Sequence, residues 1–273
     1  MRSWKILRPP LVASALLAGQ MARAIHRDDL PTLENQDPSG TFGDPDAPPL
    51  RLVLLGDSSV TSPGVVPLDH SWPRQMAMHL AKDYSVDLVS VAEGGSKSRD
   101  VLDVQVAAAL AAEPDIVYIA AGSNDALRGT PVARFEREFG EAVDQLCSAV
   151  PVVGISGIGD LGTIPRLPVL AQGIARVRAR AIDSAIARVA GQHSNAIKSN
   201  AWDVMSSFAD DPEMYGDDLF HASAKGHLAF ARVGLSMADR LLEMYEESQA
   251  TRDTRSISWS GELHPLVEEV PDN

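Results

Sequence analysis

The chain has 273 residues, 45% of them hydrophobic and 22% charged, which is ample material for one large domain with a buried core. Its 20 glycines and 18 prolines are dispersed, so collagen-like and low-complexity classes are excluded. Acidic residues outnumber basic ones 37 to 24, for a net charge of −13 with no basic stripe, and this disfavours nucleic acid and anionic membranes as partners. A single cysteine, Cys147, cannot form an internal disulfide, and no Cys/His cluster has zinc spacing.

Taken in chain order, Arg2, Lys5 and Arg8 precede a short apolar run, Leu11 to Ala18, and Ala22-Arg23-Ala24 is a small-x-small cleavage site. That is the order of a secretory signal, and the run is shorter than the roughly 20 residues a membrane span requires. Residues 1–27 are therefore read as an export or membrane-associating segment, with peripheral membrane contact through the N-terminus. The alternative is a helix lying on the domain of a cytoplasmic protein. Residues 28–49, rich in Pro, Asp and Gly, read as a linker. Residues 50–247 read as the catalytic domain and residues 248–273 as a loosely ordered acidic tail.

Within the domain, Arg51 to Leu55 is an apolar run of buried-strand length, followed by helical spacing from Trp72 to Lys82. Val86 to Val91 is the second strand, a helix runs from Ser98 to Glu113, and Asp115 to Ala121 is the third strand. Thr130-Pro131 starts a helix to about Ala149, with Pro131 at its first position. Pro151 to Ser156 is the fourth strand, Leu170 to Ala190 a long helix and Asn195 to Lys198 a short fifth strand. A last helix spans Ser223 to Glu247, with Leu228, Leu235, Ala238 and Leu242 on one side. Strands apolar throughout and separated by crossover helices imply a parallel sheet covered on both faces. The expected fold class is α/β, a three-layer α/β/α sandwich on a flavodoxin-like parallel sheet of about five strands.

In such sheets chemistry collects at the carboxyl ends of the strands. Here those ends carry Gly56-Asp57-Ser58-Ser59, Ala92-Glu93-Gly94-Gly95-Ser96 and Gly122-Ser123-Asn124-Asp125, and Asp217-Asp218-Leu219-Phe220-His221 precedes the last helix. Singly, each reads as a tight turn with a capping residue. Together they supply complementary parts. Ser58 is a hydroxyl at a strand end, and His221 is a base able to accept its proton near neutral pH. Asp218, three residues earlier, can orient the imidazole. The Asn124 amide and the backbone N–H groups of Ser58 and Gly95 are candidate oxyanion donors. Nucleophile, base, orienter and donors make up the inventory for acyl transfer.

On these blocks the sequence resembles the SGNH hydrolases, also called the GDSL esterase/lipase family, over about residues 50–245. Gly56-Asp57-Ser58 matches the first block, Gly95 the second, Gly122-Ser123-Asn124-Asp125 the third and Asp218-Leu219-Phe220-His221 the fifth. Gly159 to Pro168 and the arginine-bearing helix after it resemble the actinobacterial branch. The resemblance implies a serine esterase working through an acyl-enzyme on Ser58. His221 would be its general base and acid, Asp218 the partner of His221, and Ser58, Gly95 and Asn124 the oxyanion hole. It implies no metal or organic cofactor, and a small ester as substrate, whether lipid-like, aliphatic or an acetylated sugar. Ser59 stands where leucine often follows the nucleophile, Ala222 where proline often follows the histidine, and Gly94 competes with Gly95 as the donor. Two alternatives stay open: a carbohydrate O-deacetylase on the same triad, and a noncatalytic phosphate- or nucleotide-binding module. The absence of a Gly-x-Gly-x-x-Gly or P-loop fingerprint weighs against the second.

The remaining candidates have structural readings. Asp57 and Asp125 brace loops, and Asp217 is solvated. His70, His79, His193 and His227 are surface or packing residues. Arg176, Arg178, Arg180 and Arg188 form a solvated helix face, with attraction of an anionic substrate as the alternative; Trp202, Met205 and Phe208 belong to the core, with the lining of an acyl site as the alternative; and Cys147 is a buried small residue.

Overall fold

The computed structural model describes Gly19 and residues 27–260; the proposed signal of residues 1–27 lies almost wholly outside them. The strands are β1 (Gly40–Phe42), β2 (Pro49–Gly56), β3 (Ser85–Ser90), β4 (Ile116–Ala120), β5 (Val152–Ile155) and β6 (Ala196–Lys198). The helices are α1 (Ser58–Thr61), α2 (Trp72–Leu80), α3 (Ser98–Asp100), α4 (Val106–Ala111), α5 (Ser123–Arg128), α6 (Val132–Ala149), α7 (Val169–Ala190), α8 (Met205–Asp210) and α9 (Ala224–Ser260). A π-helical turn, Val101–Gln105, joins α3 to α4.

The six strands lie in the order β1-β3-β2-β4-β5-β6. β2 to β6 are parallel and β1 runs antiparallel to β3. The parallel strands thus follow the expected doubly wound order, which reverses direction between β2 and β4 and opens a crevice at the strand ends there.

Successive side chains of a strand point to opposite faces, and β2 shows what that does to an unbroken apolar run. Val53 and Leu55 join Val117, Ile119, Val153 and Ile155 under Phe135, Phe139 and Leu146 of α6 and Ile182 and Ile186 of α7. Leu52 and Leu54 join Ile116, Tyr118 and Val152 on the other face, under Met76 and Leu80 of α2 and Ala238 and Leu241 of α9. Leu52 to Leu55 are completely inaccessible, and burying each side chain contributes about 1.5–3 kcal/mol.

Four features differ from the sequence reading. Residues 28–49 are no free linker, because β1 pairs with β3 and the residues before it pack on the strand-end loops. β1 makes a sixth strand; at three residues in a Pro- and Gly-rich stretch it carries no periodicity to read. Of the tail expected over 248–273, the residues to Ser260 are helical as part of α9, and 261–273 lie outside the described residues. Pro131 sits just outside α6 as its N-cap.

Candidate active site

β2 ends at Gly56, whose φ of +146° favours glycine and where a Cβ would lie 2.0 Å from the Ala120 carbonyl oxygen. Side chains are thereby forbidden where the chain turns out of the sheet, and Ser58 emerges at the first position of α1. Asp57 caps that helix, its Oδ1 accepting from the Ser59 N–H at 2.9 Å. Burial pushes the Asp57 carboxyl above its ordinary range, against hydrogen bonds from Ser59 and Asn124. The turn is also locked from behind. Gln105 accepts the Gly56 N–H at 2.7 Å and donates to the Gly56 carbonyl at 3.0 Å and to Ser96 Oγ at 3.0 Å. The π turn ends at Gln105, and such bulges often mark functional sites.

At the end of β3, Ser96 N–H bonds back to the Glu93 carbonyl at 3.2 Å, and Gly95 takes φ +84°, the left-handed third position of a tight turn. At the end of β4, Gly122 takes φ +122° and starts α5, placing Asn124 so that its Nδ2 reaches Asp57 Oδ2 at 3.4 Å. Asp125 braces the neighbouring loop by accepting both the backbone N–H and the hydroxyl of Ser98, at 2.8 and 3.0 Å.

The downstream loop closes on itself. Tyr215 and Ala222 form an isolated antiparallel bridge, and Gly216 N–H donates to the His221 carbonyl at 2.8 Å. Buried Asp218 accepts the Phe220 and His221 N–H groups on Oδ1, both at 3.0 Å, and its Oδ2 stands 2.6 Å from His221 Nδ1. Burial raises the Asp218 carboxyl, but these bonds outweigh it and hold the group below the ordinary carboxylate range. His221, a quarter exposed, is left with Nε2 for a reacting group.

Ser58 and His221 line one cavity of about 180 Å³. Its walls are mostly apolar: Leu161, Ile164, Met205, Phe208, Phe220 and Phe230. Ser59, Trp72 and His227 line it too, whereas Gly95 and Asn124 do not. Asn124 is joined to the Ser58 turn through Asp57, and Gly95 through the segment before β1.

A family model described as the GDSL-like lipase/acylhydrolase family matches residues 54–229. The chain belongs to this family. It is a carboxylic ester hydrolase acting on small ester substrates. No curated protein sequence matches the hydrolase. Among solved structures it is similar to an acetylxylan esterase, Axe2, from Geobacillus stearothermophilus, at 17% identity over 70% of this chain and 95% of that one, with a TM-score of 0.58. It is also similar to LAE5, an alpha/beta hydrolase enzyme from the metagenome of Lake Arreo, Spain, at 18% identity over 71% and 97% of the two chains, TM-score 0.59. A psychrotrophic esterase, EstA, from Pseudoalteromonas sp. gives 18% identity over 70% and 96%, TM-score 0.53. At these identities the likeness is one of fold.

Several features of the GDSL-like hydrolase site carried no signal in the sequence. His227 is buried, and burial next to His221 lowers its pKa to about 3. The Trp72 N–H donates to His227 Nδ1 at 3.4 Å, so the neutral ring carries its proton on Nε2. The Trp72 indole donates to the Ser59 carbonyl at 2.7 Å, tying the cavity wall to α1. The arginines of α7 do not form a free solvated face. Arg176 pairs with Asp160, Arg188 with Glu136, Arg178 donates to the Asp125, Ala126 and Thr130 carbonyls, and Arg180 lies 4.2 Å over the Trp202 ring. Of the three residues for which the sequence left an acyl-site lining open, Met205 and Phe208 are core residues that also line the cavity, and Trp202 does not line it. Half-buried Cys147 has its thiol pushed up to about 12 by burial, and Asp217 is exposed. Among the described residues no three His, Cys, Asp or Glu side chains converge as a metal site, and no helix is long and apolar enough to cross a membrane.

Proposed function

We propose that the hydrolase cleaves its ester in two steps through an acyl-enzyme on Ser58. His221 Nε2 takes the Ser58 proton as Oγ attacks the ester carbonyl, and Asp218 holds the imidazole in the tautomer this requires. The oxyanion is held by the N–H groups of Ser58 and Gly95 and by the Asn124 amide. His221 then gives its proton to the departing alkoxide as the C–O bond breaks. Water, deprotonated by His221, attacks the acyl-enzyme, and Ser58 leaves with the proton returned to it. The observation that carries this reading is that Ser58 and His221 share one cavity while Asp218 closes on His221 Nδ1 at 2.6 Å.

The lining favours an aliphatic ester. A dry cavity of about 150 Å³ accommodates a six-carbon ring, so a cavity of this size fits an alkyl group of comparable bulk. Polar groups in its lining, the Tyr118 hydroxyl bonded to Ser199 at 3.1 Å and the His227 imidazole, keep a deacetylase of acetylated sugars as the second reading. Hydrolysis of p-nitrophenyl esters from acetate to decanoate, with wild type and Ser58→Ala, separates them. The first reading gives Ser58-dependent turnover with an optimum above acetate. An optimum at acetate together with faster cleavage of acetylated sugars selects the second, and turnover surviving in Ser58→Ala removes both. The order of the first 24 residues supports export, which N-terminal sequencing of the mature chain tests.

A further inference from the structure

Three residues that precede the first strand, Leu33, Asn35 and Gln36, between them touch the loops that carry Ser58, Gly95 and His221. Leu33 packs where a Cβ on Gly64 would lie 2.8 Å from its Cδ1 and one on Gly216 would lie 3.2 Å from it. Gly64 follows α1, and Gly216 opens the loop of Asp218 and His221. Gln36 donates through Nε2 to the Ser62 carbonyl at 2.7 Å and the Val65 carbonyl at 3.1 Å, and its N–H bonds the Thr61 carbonyl at 2.8 Å. Asn35 lies between them. Its Oδ1 accepts the Thr61 hydroxyl at 2.6 Å, and its carboxamide lies so close on Gly94 that a Cβ there would stand 2.1 Å from Oδ1 and 2.4 Å from Nδ2.

This arrangement gives the adjacent glycines separate jobs. Gly95 supplies the left-handed turn, whereas Gly94 has no unusual φ and is glycine because Asn35 occupies the space of a side chain. Thr61 ends α1, so one carboxamide sets the distance between the helix that carries Ser58 and the turn that presents the Gly95 N–H.

We propose that Asn35 is a positioning residue for ester hydrolysis, fixing the Gly95 N–H relative to Ser58 through its contacts with Gly94 and Thr61. This rests on the roles given above to Ser58 and Gly95. A donor shifted by a fraction of an ångström loses much of its hold on the oxyanion and little of its hold on the ground-state ester.

The test is steady-state kinetics on a p-nitrophenyl ester with Asn35→Ala, Asn35→Asp, Gly94→Ala and the double variant Asn35→Ala/Gly94→Ala, beside Ser58→Ala. Asn35→Ala is expected to lower kcat by about 10–10² with KM within about twofold, since misplacement by 1 Å can cost about 10² in rate. Asn35→Asp keeps the acceptor for Thr61 and should retain most of the activity. Gly94→Ala should lose more than tenfold in the wild type and much less when Asn35 is already alanine. Should Asn35→Ala prove insoluble, Thr61→Val, which removes only the hydroxyl, must show the same fall in kcat at constant KM. The proposal is overturned by an unchanged kcat in Asn35→Ala or Thr61→Val, by a loss confined to KM, or by full additivity of the double variant, while Ser58→Ala is inactive. Full activity of Ser58→Ala would instead remove the underlying reading.

Discussion

Ser58 and His221 reach one cavity by different routes. The Ser58 turn is held by partners far away in sequence: Ala120 against Gly56, Gln105 on both sides of the Gly56 peptide, Asn124 on Asp57 and Trp72 on Ser59. The His221 loop is held mainly by residues within ten positions of it, through the Tyr215–Ala222 bridge and the three bonds accepted by Asp218. Mispositioning the proposed nucleophile therefore requires disturbing the sheet, whereas mispositioning the proposed base requires only opening a short loop. Stability and turnover should be tied together on the first side and separable on the second.

The largest effect expected is that of Ser58→Ala, a loss of about 10⁴–10⁶ in kcat with the melting temperature unchanged, while Ser59→Ala stays active. Activity lost in Ser59→Ala instead would move the nucleophile by one residue. Asp218→Asn sharpens the contrast: about 10⁴ in kcat should disappear while the urea midpoint at neutral pH falls only by the share the ionised carboxylate contributes, well short of the fall in Gly56→Ala, because the loop lies outside the two main cores. Asn124→Ala should cost about 10²–10³ in kcat, the range for one oxyanion donor, and a loss of only two- or threefold would take it out of the mechanism. Gly56→Ala does the reverse of Asp218→Asn. A methyl 2.0 Å from a carbonyl oxygen in the sheet should cost about 3–5 kcal/mol of stability, read as a lower urea midpoint, and take activity with it.

The smallest effect expected is one of acidity. His227 is held to about 3 in the folded protein against an ordinary value near 6.5. The unfolded chain therefore binds the extra proton first, and His227's contribution to stability, complete above pH 6.5, drains away as pH falls towards 3. Asp218, depressed by its bonds, adds a second loss at lower pH, below the ordinary carboxylate value. Between pH 7 and 5 the melting temperature of the wild type should fall by a few degrees, and that of His227→Gln, which keeps an acceptor for Trp72, should fall less. Equal slopes for the two proteins would remove His227 from the account.

Much of this was legible from the residues. The apolar runs around Leu52, Val117 and Val153 announced a sheet covered on both faces, and the Gly-Asp-Ser, Gly-Ser-Asn-Asp and Asp-Leu-Phe-His blocks announced the loops on which the proposed site is built, since rare polar residues at strand ends stand out against apolar surroundings. What stayed hidden depends on spatial neighbours. Gln105 is one polar residue in an alanine-rich helix, and nothing local says that a π turn delivers it to Gly56. His227 looks like any surface histidine until Trp72 covers it. The arginines of α7 alternate with apolar residues as a solvated face does, and their partners lie in other segments. The Pro- and Asp-rich segment before β2 lacks periodicity because it binds loops one residue at a time.

The contact between Asn35 and Gly94 also bears on how this chain can diverge. Position 95 is constrained chiefly by its own dihedral angle, with only the flexible end of Arg128 beside it, and should stay glycine wherever the turn is kept. Position 94 is constrained by the bulk of a residue 59 places upstream, so the two should drift as a pair: relatives with a side chain at 94 should carry something smaller than asparagine at 35. A segment that reads as dispensable spacer would then carry a substitution record correlated with that of the active-site loop.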